Sequence, residues 1–230
     1  MNKRVSAVIL SAGSGSRMKL NITKQELDIG GETVLRRTVR IFNSSEEISE
    51  IVVVVRYDQV DFARGELASF DKVKAIVIGG KNRYDSAKIG FSSISDDSSY
   101  VAIHDVARCF VTEDMISRVI ADAKKYGAAT AASAVTDTLK LVGDDLCIRA
   151  TLDRDTVASV QTPQVFDTSL YREALNSVKD SSKITDDNML LEAIGVKVHC
   201  TFTGKSNIKL TTEDDIPYAN YLLSLEKSNG

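Results

Sequence analysis

The 230-residue chain has no tryptophan, only two prolines, two histidines and three cysteines, and no apolar run that approaches a membrane span. Each shortage excludes something. Cys109, Cys147 and Cys200 are odd in number, far apart and outside any Cys-x-x-Cys, which rules out a disulfide framework and a cysteine zinc site and suits a reducing compartment. His104 and His199 are too distant in sequence to form a local metal motif. A crossing helix needs about 18 or more consecutive apolar residues, so no membrane span is expected. Positive charge is not in surplus: 29 Lys and Arg stand against 32 Asp and Glu, a net −3, which argues against nucleic acid or an anionic membrane as partner. Pro163 and Pro217 mark no domain boundary, and no repeat, low-complexity tract or linker interrupts the chain.

What is present is ordinary for a packed protein. Hydrophobic residues make up 43% and charged residues 27%, too apolar for a disordered chain. Lys3-Arg4 followed by Val5–Leu10 has the look of a signal peptide, but the apolar run is short and enters Ser11-Ala12-Gly13 directly, so a buried strand and a cytoplasmic protein are expected.

Short β-branched runs alternate with helix-period segments. Val5–Leu10, Ile51–Val55, Val73–Ile78, Val101–Ile103 and Ala128–Val135 read as strands apolar on both faces, as in a mostly parallel sheet covered by helices on both sides. Helices are expected over Thr33–Phe42, Arg83–Ile94, Thr112–Tyr126, Ser169–Val178, Asp186–Ile194 and Thr212–Leu225. The third has a Thr112 cap, acids in its first turn, lysines in its last and Gly127 beyond. Val196–Phe202 reads as a further strand. Asp137–Val142 and Leu146–Leu152 flank Gly143-Asp144-Asp145, a hairpin with one apolar face left without a partner. The expected architecture is a single α/β domain over 1–230 with a β-hairpin arm at about 137–158.

Three clusters follow strands. Ser11-Ala12-Gly13-Ser14-Gly15-Ser16-Arg17-Met18, with Lys24 beyond, offers backbone N–H groups and two cations to a ligand at the strand ends. It is not a dinucleotide fingerprint, since Met18 stands where a third glycine belongs, and it is not a Walker A loop. Gly79-Gly80-Lys81-Asn82-Arg83-Tyr84-Asp85-Ser86 permits close approach. His104-Asp105-Val106-Ala107-Arg108 supplies a carboxylate suited to Mg²⁺, while His104 reads as a packing or hydrogen-bonding residue. Taken singly, each cluster is better explained as surface cations, a polar first helical turn or a local ion pair. Together, on one edge of one sheet, they describe a nucleoside triphosphate site with a metal.

In this order the clusters resemble the 2-C-methyl-D-erythritol 4-phosphate cytidylyltransferase family of isoprenoid biosynthesis, from about Val5 to Leu223. The resemblance extends through Lys24-Gln25, Asp137-Thr138-x-Lys140, Asp153-Arg154, Gln161-Thr162-Pro163-Gln164, Thr185-Asp186 and Asn207-Ile208-Lys209. It implies a Rossmann-like nucleotidyltransferase fold, CTP and a sugar-alcohol phosphate as substrates, Mg²⁺ at Asp105, and a homodimer whose hairpin arms cross between subunits. It also implies Arg17, Lys24 and Lys209 as catalytic phosphate contacts, and Ser11, Ala12, Gly13, Gly15, Gly80, Arg83, Ser86, Asp105 and Ala107 on the nucleotide. Arg108, Thr138, Arg154, Thr162 and Thr185 then serve the second substrate, Thr138 and Arg154 from the neighbouring subunit. Thr23 and Cys109 stand where the family commonly has proline, which is expected to loosen two loops. Two alternatives share much of the pattern: a ribitol 5-phosphate cytidylyltransferase, and a CTP-binding protein without chemistry. Asp137-Thr138-x-Lys140 with Asp153-Arg154 looks more like the methylerythritol enzymes, and the presence of Lys24, Asp105 and Arg154 argues against the sensor.

Overall fold

The structure is a computed structural model that describes residues 3–13, 23–178 and 180–229, with side chains to residue 225. Among these, seven strands form one sheet in the order β3-β2-β1-β4-β8-β5-β9. They are β1 (Val5–Ser11), β2 (Ile48–Val55), β3 (Val73–Ile78), β4 (Tyr100–Asp105), β5 (Ala128–Ala134), β8 (Ala158–Asp167) and β9 (His199–Phe202). All neighbours run parallel except β8, which opposes both β4 and β5. Two further strands, β6 (Lys140–Val142) and β7 (Ile148–Thr151), pair only with each other. No helix among the described residues is long and apolar enough to cross a membrane.

The sheet is buried on both faces, which is why its central strands read as unbroken apolar runs. Val5, Ala7 and Ile9 of β1 face α1 (Val34–Ser44) and α4 (Glu113–Tyr126) through Leu35, Val39, Phe42, Ile116 and Ile120. Val8 and Leu10 face the other way, onto α3 (Arg83–Phe91), α5 (Thr168–Ser177) and α6 (Asn188–Ala193) through Ala87, Phe91, Tyr171 and Leu190. Helix starts fall where capping residues predict them. Thr33 accepts from the Arg36 N–H, Thr112 from the Met115 N–H at 3.2 Å, and Gly127 closes α4 with φ of +88°. Asp215 opens α7 (Asp215–Asn229) with its carboxylate on the Thr212 N–H and hydroxyl.

Two elements differ from the expectation. Val60–Leu67 forms α2, a short helix the residue pattern did not single out. More consequential, the segment after the hairpin is β8, wedged antiparallel between β4 and β5. Its Gln161-Thr162-Pro163-Gln164 run has no strand signature, and proline argues against a central strand. The pairing accommodates it with an irregularity: Thr130 aligns with Gln164, but Ala132 already aligns with Val160. Pro163 sits inside that break.

The order 3-2-1-4 places β1 where the chain, having gone out to β3, returns to the opposite side at β4. Crevices beyond the strand ends at such a reversal are where open α/β sheets bind ligands.

Candidate active site

Strand ends build the site. Leu10 and Ala12 at the end of β1, Gly80 to Arg83 after β3, and Asp105 to Ala107 at the end of β4 line a cleft of about 420 Å³, closed by Lys24, Gln25 and Lys209. Glycine is required after β3 for space: a Cβ on Gly79 would stand 2.6 Å from the Ala12 Cβ and 2.8 Å from the Ser86 Oγ. Asn82 caps α3 through the Asp85 N–H, and the Ser86 hydroxyl accepts from the Gly80 N–H and donates to the Asn82 carbonyl. A second cleft, of about 250 Å³, is lined by Arg108, Gln161, Thr162, Gln164, Thr185 and Asp186. Arg83, Asp105 and Lys209 line both clefts and form the wall they share.

That wall is an ion-pair chain. Lys209 Nζ donates to Asp105 Oδ2 at 2.6 Å, and Arg83 Nε donates to Asp105 Oδ1 at 3.1 Å. Arg83 Nη1 reaches Asp187 Oδ2 at 2.6 Å, and the Tyr171 hydroxyl donates to Asp187 Oδ1 at 2.5 Å. Burial opposes ionisation of Asp105, but the Arg83 guanidinium and the Lys209 ammonium outweigh it and hold the carboxyl well below the usual range. Burial likewise disfavours the Arg83 cation, yet Asp187 and Asp105 more than compensate, so it stays charged.

Behind Asp105 lies His104, fully buried and tilted against Phe42 at 4.8 Å between ring centroids. Burial depresses its pKa to about 3, so the ring is neutral at ordinary pH. Its Nε2 faces the Arg108 carbonyl at 3.2 Å, an acceptor only, which places the proton on Nε2. Nδ1 therefore accepts from the Thr162 hydroxyl at 3.1 Å, whose oxygen in turn accepts from the Asp105 N–H. Two neighbouring bonds finish the frame. Arg108 Nη1 donates to the Asn207 carbonyl at 2.8 Å, and Lys24 Nζ to the Leu210 carbonyl at 2.9 Å.

Of the residues named from sequence, Ala12, Gly13, Lys24, Gly80, Arg83, Ser86, Asp105, Ala107 and Lys209 line the first cleft, and Arg108, Thr162 and Thr185 the second. Arg17 and Gly15 lie outside the described residues. Ser11 is buried and does not line the first cleft, since side chains alternate along β1 and its neighbours Leu10 and Ala12 are the ones on the cleft side. Thr138 and Arg154 line neither cleft of their own chain; Arg154 Nη1 donates to the Thr136 carbonyl.

The expected loosening at Thr23 and Cys109 has a counterweight at each place. The Thr23 N–H and hydroxyl both donate to the Glu26 carboxylate, at 2.9 and 2.7 Å, a capping box that starts the turn carrying Lys24. Cys109 is fully buried, and the Arg37 Nε donates to its carbonyl at 2.9 Å. Residues the sequence reading missed are Asp187 and Tyr171, and Asn207 stood in its motif without a role. The Asn207 amide ties Gln161 and Thr162 to the segment bearing Lys209. Asp187 was detectable only as the acid following the Thr185-Asp186 pair.

A strand-end cleft with cations on its wall, sharing a carboxylate with a second cleft, is the arrangement of an α/β protein that brings two ligands together. Comparison narrows the class. Residues 5–225 match the family of 2-C-methyl-D-erythritol 4-phosphate cytidylyltransferases. The enzyme of that name from Alkaliphilus oremlandii is 39% identical over 229 residues, covering 97% of each chain. The one from Clostridium tetani is 38% identical over 216 residues, covering 93% of this chain and 87% of its own. The crystal structure of 4-diphosphocytidyl-2C-methyl-D-erythritol synthase from Anaerococcus prevotii superposes with a TM-score of 0.87 at 33% identity, covering 97% of each chain. The chain belongs to the 2-C-methyl-D-erythritol 4-phosphate cytidylyltransferase family, and the activity that goes with membership is cytidylyl transfer in isoprenoid biosynthesis.

Proposed function

We propose that this chain transfers CMP from CTP to 2-C-methyl-D-erythritol 4-phosphate across the wall shared by its two clefts, with CTP in the larger and the sugar phosphate in the smaller. The observation that carries the reading is that wall: two ligand spaces meet at Asp105, Arg83 and Lys209, as two-substrate chemistry requires. The acceptor's phosphate oxygen attacks the α-phosphorus in line, the bond to the β-phosphate oxygen breaks, and pyrophosphate leaves with that oxygen. Phosphate is itself the nucleophile, so no covalent enzyme intermediate is needed. What the protein supplies is position and charge. Lys24 and Lys209, with Arg17 from the glycine loop, hold the polyphosphate; Ala12, Gly80 and Ser86 accommodate the base; Arg108, Thr162 and Thr185 orient the acceptor.

Mg²⁺ fits the donor set. Each Asp105 oxygen accepts one hydrogen bond, so lone pairs remain, and no group of three or more possible metal-binding side chains occurs among the described residues. One carboxylate completed by substrate phosphates is how Mg²⁺ is commonly held, and when bound it neutralises charge building on the phosphate oxygens.

The hairpin supports a dimer. Leu141, Val142, Leu146 and Ile148 are all at least half exposed, and an isolated two-stranded sheet is marginal in water. Crossing to a second copy would cover this face and carry Thr138 and Arg154 to the partner's acceptor cleft.

The deciding experiment is pyrophosphate release from CTP and Mg²⁺ with 2-C-methyl-D-erythritol 4-phosphate and with ribitol 5-phosphate, side by side. Preference for the first is expected. Preference for ribitol 5-phosphate overturns the acceptor, and tight CTP binding without turnover on either overturns the transferase reading.

A further inference from the structure

We infer that Asp187, backed by the Tyr171 hydroxyl, is a positioning residue that sets the Asp105 carboxylate through Arg83 and so couples the acceptor side of the site to the nucleotide side. The inference rests on the assignment of Asp105 to the nucleotide side proposed above.

The chain of contacts runs from the cleft wall into the core. Arg83, the first residue of α3, spends Nε on Asp105 and Nη1 on Asp187. The Asp187 side chain is 1% exposed and lines neither cleft, so it can act on ligands only through Arg83. Asp187 is itself held from two directions: its N–H donates to Gln164 Oε1 at 3.0 Å, and its Oδ1 accepts from Tyr171. The Tyr171 ring is locked in turn, stacked on Phe166 at 5.2 Å and edge-on to Phe91 at 4.9 Å. Gln164 and Asp187 belong to the segments that carry Thr162 and Thr185 in the acceptor cleft, whereas α3 carries Ser86 in the nucleotide cleft.

The charges support a positioning role. Lys209 and Arg83 balance Asp105 and Asp187, two against two, so no net charge is stranded in the wall. Burial keeps the Tyr171 hydroxyl protonated and therefore a donor, with its carboxylate neighbour acting in the same direction. Remove the Asp187 charge and the Nη1 bond loses its charge assistance, which leaves Asp105 as the one charged anchor of Arg83, with Nη2 already unpartnered. The guanidinium can then turn about its bond to Asp105 and take that carboxylate with it. Displacements of about 1 Å in a reacting constellation cost up to roughly 100-fold in rate.

The test compares Asp187→Asn, Tyr171→Phe and the double variant with wild type, at a temperature where each is folded by thermal melt. Expected for Asp187→Asn is a kcat lowered about tenfold or more, with KM for CTP and for the acceptor each within about threefold of wild type. Tyr171→Phe should give a smaller fall of the same kind, and the double variant no further loss, because both act through one guanidinium. A folded Asp187→Asn enzyme with kcat within twofold of wild type overturns the inference, as do losses that multiply in the double variant. If Asp187→Asn does not fold, Tyr171→Phe decides alone, since its ring still fills the core. Inactive wild type overturns the functional reading and this inference together; active wild type beside unaffected variants overturns this inference only.

Discussion

Acidification should expose the hydrogen-bond relay behind Asp105, through His104. Its folded pKa is about 3 against an ordinary value of 6.5, because burial penalises the imidazolium by more than the neighbouring Asp105 carboxylate favours it. At any pH between those values the unfolded chain binds more protons than the folded one, so stability falls as pH falls, starting near 6.5 and levelling below about 3. The slope is about 1.4 kcal/mol per pH unit, so moving from pH 6.5 to 5.0 should remove about 2 kcal/mol. The window is separable from the carboxylates. Asp105, Glu50, Glu26 and Asp215 are also depressed, but as acids their contribution is complete above their ordinary values of 3.8 to 4.5 and is lost only on going lower. Urea denaturation of wild type and His104→Gln at pH 7.5 and 5.0 provides the measurement. Wild type should lose about 2 kcal/mol more than the variant over that interval. Parallel losses would refute the reasoning, as would NMR showing the His104 ring protonated at pH 5.

Lys24→Ala should lower kcat by about 10²–10³, the usual cost of removing one preorganised charge contact, measured by pyrophosphate release; near-normal turnover would remove Lys24 from the phosphate site. Gly79→Ala forces a methyl against Ala12 and Ser86, so calorimetric CTP affinity should drop while the fold persists, and unchanged affinity would contradict the space argument. Arg154→Ala should raise KM for the sugar phosphate with little effect on that for CTP. Mixing inactive Lys24→Ala with Arg154→Ala subunits should restore activity through mixed dimers, since one of the two sites then has both native residues. Failure to complement in an exchanging dimer would place Arg154 at its own chain's site.

Much of this molecule is legible in one dimension because its constraints are local. Val5–Leu10 and Ile51–Val55 are apolar on both faces since both faces are covered, and that demand is written into consecutive residues. Thr112 and Gly127 mark the ends of α4 by the backbone groups and angles that helix ends require. The glycine pairs and Asp105 stand at or just past strand ends, so placing them on one edge needs only a parallel sheet. Strand β8 was hidden for the opposite reason: Gln161, Thr162 and Gln164 satisfy partners in β4, in β5, at Asp187 and at Asn207, not a strand pattern of their own. The glycine-loop motif names Ser11 and Ala12 alike, whereas strand alternation decides that Ala12 lines the cleft and Ser11 is buried. The pairing of Arg83 with Asp187, 104 residues apart, could not be read from either neighbourhood. Sequence alone determined the alternation of strand and helix and the chemistry available at each strand end. Only the tertiary structure decided that two clefts share one ionic wall, because buried charges are tolerated where partners from distant segments arrive together, and that arrival is a property of the packed fold.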